Sequence, residues 1–307
     1  MLSWQGMSRQ VVIFGRTGQL GTELVRVCAD RGLTATGLTR NDVDVTEAQG
    51  VENIVSSLNP SLVLNATAYN MVDAAESDPA GAMAGNALAV RNMAIAATRA
   101  GARFVHVSTD YVFDGQTDRP WHESDRVGPL STYGISKLAG EHMAVAYSPE
   151  ALVVRTCGVY GVAGLNTRRG NFIETMLRLG SRSEPLRVVA DVIASPTHAG
   201  ELAIRLLDLA ERGQQGVFHA GGGEPVSWFE FARIIFDEAG LKPELVPSTR
   251  DAYPTPARRP VYSALSNSRM EAAGVAPMPS VRECVRAYLR AREIRLNSPQ
   301  GEVESTA

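Results

Sequence analysis

Residues 10–21 read QVVIFGRTGQLG, an apolar β-branched run at 11–14 followed by Gly15-Arg16-Thr17-Gly18-Gln19-Leu20-Gly21. The run has strand composition, and the stretch after it opens a helical pattern. Glycine at 15, 18 and 21 lets the backbone turn tightly and come close to a pyrophosphate, whose charge meets the N–H groups and positive end of the helix. With 28 glycines in the chain the spacing alone would carry little. Its place between a strand and a helix makes it a dinucleotide cradle.

From Gln10 to about Ala220, short β-branched runs alternate with longer helical ones, the pattern of βαβ units. Strands are predicted at 11–14, 33–38, 61–65, 103–108, 151–156, 186–190 and 217–219. Seven strands with helices between them imply an α/β fold with a doubly wound parallel sheet of Rossmann type, which binds ligands beyond the carboxyl ends of its strands. The rhythm changes near Gly161. A Gly/Arg-rich loop (161–171, GVAGLNTRRGN) precedes a helix at 172–179, and after Gly221–Gly223 come a helix at 228–239, a Pro-punctuated stretch (252–262, AYPTPARRPVY) and a helix at 280–290. These parts predict a smaller substrate-binding lobe over 162–185 and 221–291. The dinucleotide domain would cover 7–161, with 186–220 returning to it, and residues 1–6 and 297–307 would be flexible tails.

The strongest chemical signal is Tyr133-Gly-Ile-Ser-Lys137, whose spacing puts both side chains on one face of a helix. Of 30 basic residues only Lys137 and Lys242 are lysine, so a chain that otherwise uses arginine has lysine here. An ammonium beside a tyrosine favours the phenolate and moves its pKa toward working pH, and it can also bond a nicotinamide ribose. The phenol can then give its proton to a carbonyl oxygen as hydride reaches the carbon. Thr109, 24 residues earlier in Ser108-Thr109-Asp110-Tyr111, stands just after the fourth strand, where a hydroxyl can orient the same carbonyl. Ala66, Thr67 and Ala68 end the third strand with small side chains where backbone passes close to a cofactor. The second strand runs into Thr39 and Arg40 rather than an acidic residue. A carboxylate there would repel a 2′-phosphate, whereas Arg40 and Arg16 can pair with it, so NADP(H) is expected ahead of NAD(H).

A composition of 44% hydrophobic and 21% charged residues with a net charge of -3 gives no electrostatic reason to expect nucleic acid or a membrane surface as partner. A small ligand is the expected partner. Cys28, Cys157 and Cys284 are too scattered for a disulfide framework or a zinc site, and no metal-ligand cluster is apparent. No apolar run approaches the roughly 18 residues of a spanning helix. A cytoplasmic protein is expected.

The segments FGRTGQLG, NATAYNMVDAAES, STDYVFDG, YGISKLAGE, RTCGVYG, GNFIETMLRLG, ASPT and YPTPARRPVYSAL, in unbroken order over about 11–265, resemble the extended short-chain dehydrogenase/reductases and, within them, the dTDP-4-dehydrorhamnose reductase family. The resemblance implies that Thr109, Tyr133 and Lys137 are catalytic, that Asp44 and Val45 lie beside the adenine, and that Ala66 and Ala68 line the cofactor. It implies a nucleotide-sugar site with Asp110, Tyr111, Asn171, Pro196, Arg258 and Arg259, and NADPH-dependent reduction of the C4 ketone of dTDP-6-deoxy-L-lyxo-4-hexulose to dTDP-L-rhamnose. Some similar proteins dimerise with a metal, so a homodimer is compatible with the resemblance. Two segments depart from the family's common spelling. Gly158 stands in place of a Trp, which leaves room at the sugar subsite, and Val192 and Ala194 replace a Gln and a Gly. A 4-ketoreductase for another dTDP-deoxysugar therefore stays open, as does a non-catalytic NADP-binding subunit similar to the regulatory subunit of methionine adenosyltransferase.

Overall fold

The computed structural model describes residues 10–166, 170–182 and 184–297. The expected amino-terminal tail, the carboxyl-terminal tail beyond Asn297 and part of the Gly/Arg-rich loop lie outside the described residues. Among the described residues ten strands are present: β1 (Gln10–Phe14), β2 (Thr34–Leu38), β3 (Leu62–Asn65), β4 (Arg103–Thr109), β5 (Leu152–Thr156), β6 (Leu186–Val189), β7 (Ile193–Ala194), β8 (Gly216–His219), β9 (Val226–Ser227) and β10 (Leu245–Ser248). The main sheet is parallel, in the order β2-β1-β3-β4-β5-β8.

Alternation along β1 builds the layers. Val11 and Ile13 face a core shared with helices Gln19–Asp30 and Ala199–Glu211, through Leu24, Leu202 and Leu206. Val12 and Phe14 face the opposite core, with Val51, Val90 and Met93 from helices Ala48–Leu58 and Ala89–Arg99. Helices on both faces of a parallel sheet define the doubly wound class. The order reverses at β1, with β2 on one side and β3 on the other, so a crevice opens beyond the carboxyl ends of β1 and β3. Gly15 and Ala66 stand there.

One predicted strand is placed differently. Leu186–Val189 does not join the main sheet but pairs in parallel with β10, a strand that sequence reading did not find. Only Val188 of the four is buried, whereas all five residues of β5 are. A four-residue apolar run reads the same in either place, and burial on both faces is what separates them. Helix Ala199–Glu211 packs on the main sheet and β8 joins its edge. Helices Phe172–Gly180, Trp228–Ala239 and Val281–Asn297 pack a separate core around Tyr160, Ile173, Phe231, Ile235 and Tyr288. The last helix runs through Asn297, beyond its expected end.

Candidate active site

A cleft of about 1960 Å³ runs along the carboxyl ends of the sheet. One small ligand usually occupies roughly 300–1,000 Å³, so there is room here for a dinucleotide and a second molecule. At its floor Gly15 has φ +89, and its N–H and that of Arg16 donate to Leu38 O at 2.9 and 3.1 Å. A Cβ at Gly21 would collide with the Gly15 carbonyl, and one at Gly15 would meet Ala66 O at 3.0 Å. Helix Gln19–Asp30 begins at Gly18 with no side-chain cap and no acidic residue in its first turn, which suits an anion. These close approaches fit a pyrophosphate cradle. Thr17, Gly18, Gln19 and Leu20 line the cleft, although the Gln19 amide is committed to Val159 O, Gly161 N–H and Asn171.

Asn65 shapes the next wall, its Oδ1 accepting both the N–H and hydroxyl of Thr67 at 2.9 and 2.7 Å. Ala66, Thr67 and Ala68 line the cleft, as do Arg40, Asp44 and Val45. The Asp44 carboxyl accepts two bonds from Thr46, which hold it below its usual range together with Arg40. Arg40 is exposed. Arg16 does not line the cleft, and its stem lies over Gly37, where a Cβ would meet it at 2.7 Å.

Tyr133 and Lys137 sit on helix Thr132–Tyr147, capped by Ser131 Oγ accepting the Gly134 N–H at 3.2 Å. Two glycines let this helix press against its neighbours: a Cβ at Gly134 would strike Tyr111 O, and one at Gly140 would strike Asn86 O. Asn86 belongs to a π-helical turn, Ala84–Leu88, and donates to Tyr69 O and Ser136 Oγ, both at 3.0 Å. Sequence spacing does not reveal it, because a π turn has no residue signature. Below the helix, Glu141 accepts a bidentate pair from buried Arg155 at 2.8 and 2.7 Å and a bond from Ser108 at 2.5 Å. These bonds clamp the helix to β4 and β5.

The Tyr133 phenol hydrogen-bonds Thr109, and burial raises it to about 12 against that bond. Lys137 is buried and donates to Val107 O at 2.6 Å, and burial lowers it to about 8 while Glu141 opposes the shift. Lys137 therefore does not draw the Tyr133 pKa down, contrary to the expectation from spacing. Its ammonium is spent on a strand carbonyl, and desolvation dominates both groups. Thr109 Oγ1 also donates to Asp110 Oδ1 at 2.9 Å. Asp110 is buried, raised by desolvation, and hydrogen-bonded to Ser263, Cys157 and Thr109.

The residues expected on the sugar side divide. Asp110, Tyr111, Gly158, Arg258 and Arg259 line the cleft. Tyr111 meets Tyr133 edge-on, with ring centroids 5.8 Å apart, and Arg259 grips Asp73 at 2.9 and 2.8 Å. Asn171 and Pro196 do not line it. Asn171 caps helix Phe172–Gly180 through the Glu174 N–H at 3.1 Å and ties Gln19, Gly161 and Tyr288 together. Pro196 lies behind Gly158, 3.6 Å from its Cβ position. Nor does Gly158 leave empty space: φ is +49, and Trp228 Cη2 lies 3.2 Å from where its Cβ would be. Among the described residues no group of three or more His, Cys, Asp or Glu side chains could hold a metal, and no helix is long and apolar enough to cross a membrane.

A glycine cradle at the switch point of a doubly wound sheet, with Thr109, Tyr133 and Lys137 in the same cleft, defines the extended short-chain dehydrogenase/reductase class. The family model described as the RmlD substrate binding domain matches residues 9–294. A dTDP-4-dehydrorhamnose reductase of Mycobacterium tuberculosis is 40% identical over 93% of this chain and 94% of its own. A spore coat polysaccharide biosynthesis protein of Bacillus subtilis is 35% identical over 92% and 98%. The crystal structure of a Bacillus anthracis dTDP-4-dehydrorhamnose reductase in complex with NADP superposes with a TM-score of 0.87 at 32% identity, covering 93% of this chain and 100% of that one. The chain belongs to the dTDP-4-dehydrorhamnose reductase (RmlD) family.

Proposed function

We propose that the protein reduces the C4 ketone of a dTDP-6-deoxy-4-ketohexose with NADPH, converting dTDP-4-dehydrorhamnose to dTDP-L-rhamnose. The observation that carries this reading is that Thr109, Tyr133 and Lys137 line one cleft continuous with the glycine cradle. Residues 15–21, the Ala66–Ala68 turn and Arg40 would hold NADPH, which supplies the hydride. Thr109 and Tyr133 would hold the carbonyl oxygen between two hydroxyls. Tyr133, protonated throughout the neutral range, would give that oxygen its proton. Buried Lys137, held at Val107 O, would bond the nicotinamide ribose and so position the hydride donor. Arg258 and the Arg259–Asp73 pair lie where a diphosphate can be met by guanidinium groups.

The reading assigns residues 10–161 with 199–220 to the cofactor and the remaining described segments, β6 included, to the sugar. It also takes the protein as a cytoplasmic homodimer, with sedimentation as the test of association. NADPH oxidation is to be followed with dTDP-4-dehydrorhamnose and other dTDP-4-keto-6-deoxyhexoses, NADH in parallel. Tyr133→Phe is expected to bind NADPH normally and to lose about 10²–10⁴-fold in turnover. Turnover within threefold of wild type would remove Tyr133 as the acid.

A further inference from the structure

The segment NATAYNMVDAAES lends its first half to the cofactor wall, whereas Asp73 and Glu76 in its second half do not line the cleft. They stand three apart on the helical turn Val72–Ala75 and its cap, so one turn presents two carboxylates on one side. Each reaches a different wall of the site. Asp73 accepts bonds from Arg259 Nη1 and Nη2 at 2.9 and 2.8 Å and from the Ala257 N–H at 3.2 Å. Arg259 Nη1 also donates to Thr255 Oγ1 and Ala257 O at 2.6 and 3.3 Å, so this guanidinium is largely committed. Its neighbour Arg258 is exposed, lines the cleft and has no ion pair among the described residues. The stretch from Arg250 to Val261 forms much of one cleft wall. It is tied to the β6 side by the Arg250 N–H on Asp191 Oδ1 at 2.9 Å and the Tyr253 hydroxyl on Arg187 O at 3.1 Å. At its other end it passes Gly115, where a Cβ would lie 2.5 Å from Val261 N. Between these moorings, Asp73 holds residues 257–259.

Glu76 takes the opposite wall. Its carboxylate accepts the Thr132 N–H at 2.8 Å and the Thr132 hydroxyl at 3.1 Å. Thr132 opens the 16-residue helix that carries Tyr133 and Lys137, and its N–H is one of the amides that no helical carbonyl can reach. A carboxylate also suits the positive end of that helix. The residue it secures directly precedes Tyr133. On the reading of function above, which leaves open which of the two arginines meets the diphosphate, we propose that this turn carries two positioning residues: Asp73 staples Arg259 so that Arg258 faces the nucleotide, and Glu76 seats the helix end that aims Tyr133. One turn thus sets the ligand wall and the acid against the same reference.

The test reads binding and turnover separately in the whole enzyme: dTDP and NADPH by titration, reduction of dTDP-4-dehydrorhamnose for kcat, and thermal melting for folding. Asp73→Ala, Arg259→Ala and the double variant are each expected to weaken dTDP by the same factor, about fivefold or more, because the ligand must then order Arg258 and its loop itself. NADPH affinity should not change. Tighter dTDP in Asp73→Ala, the result for an Arg259 freed to bind the diphosphate, overturns the staple. So does a loss in Arg259→Ala well beyond that in Asp73→Ala. Glu76→Ala is expected to lower kcat about tenfold or more at unchanged dTDP and NADPH affinity, since misplacing a reacting group by about 1 Å can cost 10²-fold. Glu76→Gln, which can still accept the Thr132 N–H, should restore most of it. Unchanged kcat in Glu76→Ala, or a kcat loss matched by equal losses of dTDP and NADPH affinity, overturns the seating of Tyr133. Should an alanine variant unfold, Asp73→Asn and Glu76→Asp, which weaken the same bonds, are read for the same losses. A wild-type enzyme that binds NADPH and dTDP without reducing the ketone overturns the functional reading and the part of Glu76 with it, while dTDP binding still decides the Asp73 staple.

Discussion

Replacing Lys137 with methionine should change the way stability depends on pH. The side chain is 2% exposed, and burial takes its pKa from the ordinary 10.5 to about 8. The unfolded chain keeps the proton up to about pH 10.5, while the folded chain releases it near 8. Between these values the unfolded state binds more protons, so this lysine makes stability rise with pH. Below about pH 8 both states carry the charge and the folded state bears the whole desolvation penalty. Above 10.5 neither carries it and the penalty is gone. Each pH unit between is worth about 1.4 kcal/mol, so the total is about 3 kcal/mol. Lys137→Met has no such titration, and its lost bond to Val107 O contributes equally at every pH. The stability of the variant relative to wild type should therefore fall by about 3 kcal/mol between pH 7.5 and 10.5. Urea unfolding of both proteins at half-unit steps measures the difference and cancels every other titrating group. Parallel stability curves would refute the burial argument. The same ionisation should appear as an alkaline limb near pH 8 in wild-type kcat/KM for ketone reduction.

Three further outcomes follow from the geometry. Arg40→Ala should weaken NADPH about tenfold and leave NADH nearly unchanged by fluorescence titration, because an exposed guanidinium pairing with the 2′-phosphate is solvent-screened; equal weakening of both would make Arg40 a general contact. Glu141→Gln leaves the buried Arg155 charge without its carboxylate partner and should destabilise by about 3–5 kcal/mol in urea unfolding, whereas Glu141→Leu with Arg155→Met should regain most of that loss; a double variant as unstable as the single one contradicts the account. Asn171→Ala removes a helix cap and three cross-links, so the melting temperature should fall with a loss of at least about 1 kcal/mol while KM for the sugar stays within twofold; a KM rise at unchanged stability would return Asn171 to the substrate.

The sequence by itself determined what depends on neighbours along the chain. A β-branched run followed by GxxGxxG can only be a strand turning into a helix with a close-approach floor, and a Tyr and Lys four apart share a helix face whatever surrounds them. The continuous apolar run of β1 suits a strand buried on both faces, as the helices on either side of it make it. Tertiary structure decided everything that depends on which surfaces meet. Leu186–Val189 has strand composition, but only its partner β10 and its half-exposed faces place it outside the main sheet. Asn171 and Pro196 match a family motif, yet one is consumed as a cap and the other stands behind Gly158, because hydrogen-bond partners 10 to 152 residues distant claim the Asn171 side chain. The charge of Lys137 was legible as a residue type. Its direction, toward Val107 O rather than toward the phenol, was set by the packing of the helix on β4. The indole over Gly158 comes from a helix 70 residues further along the chain, and no spacing rule reaches that far.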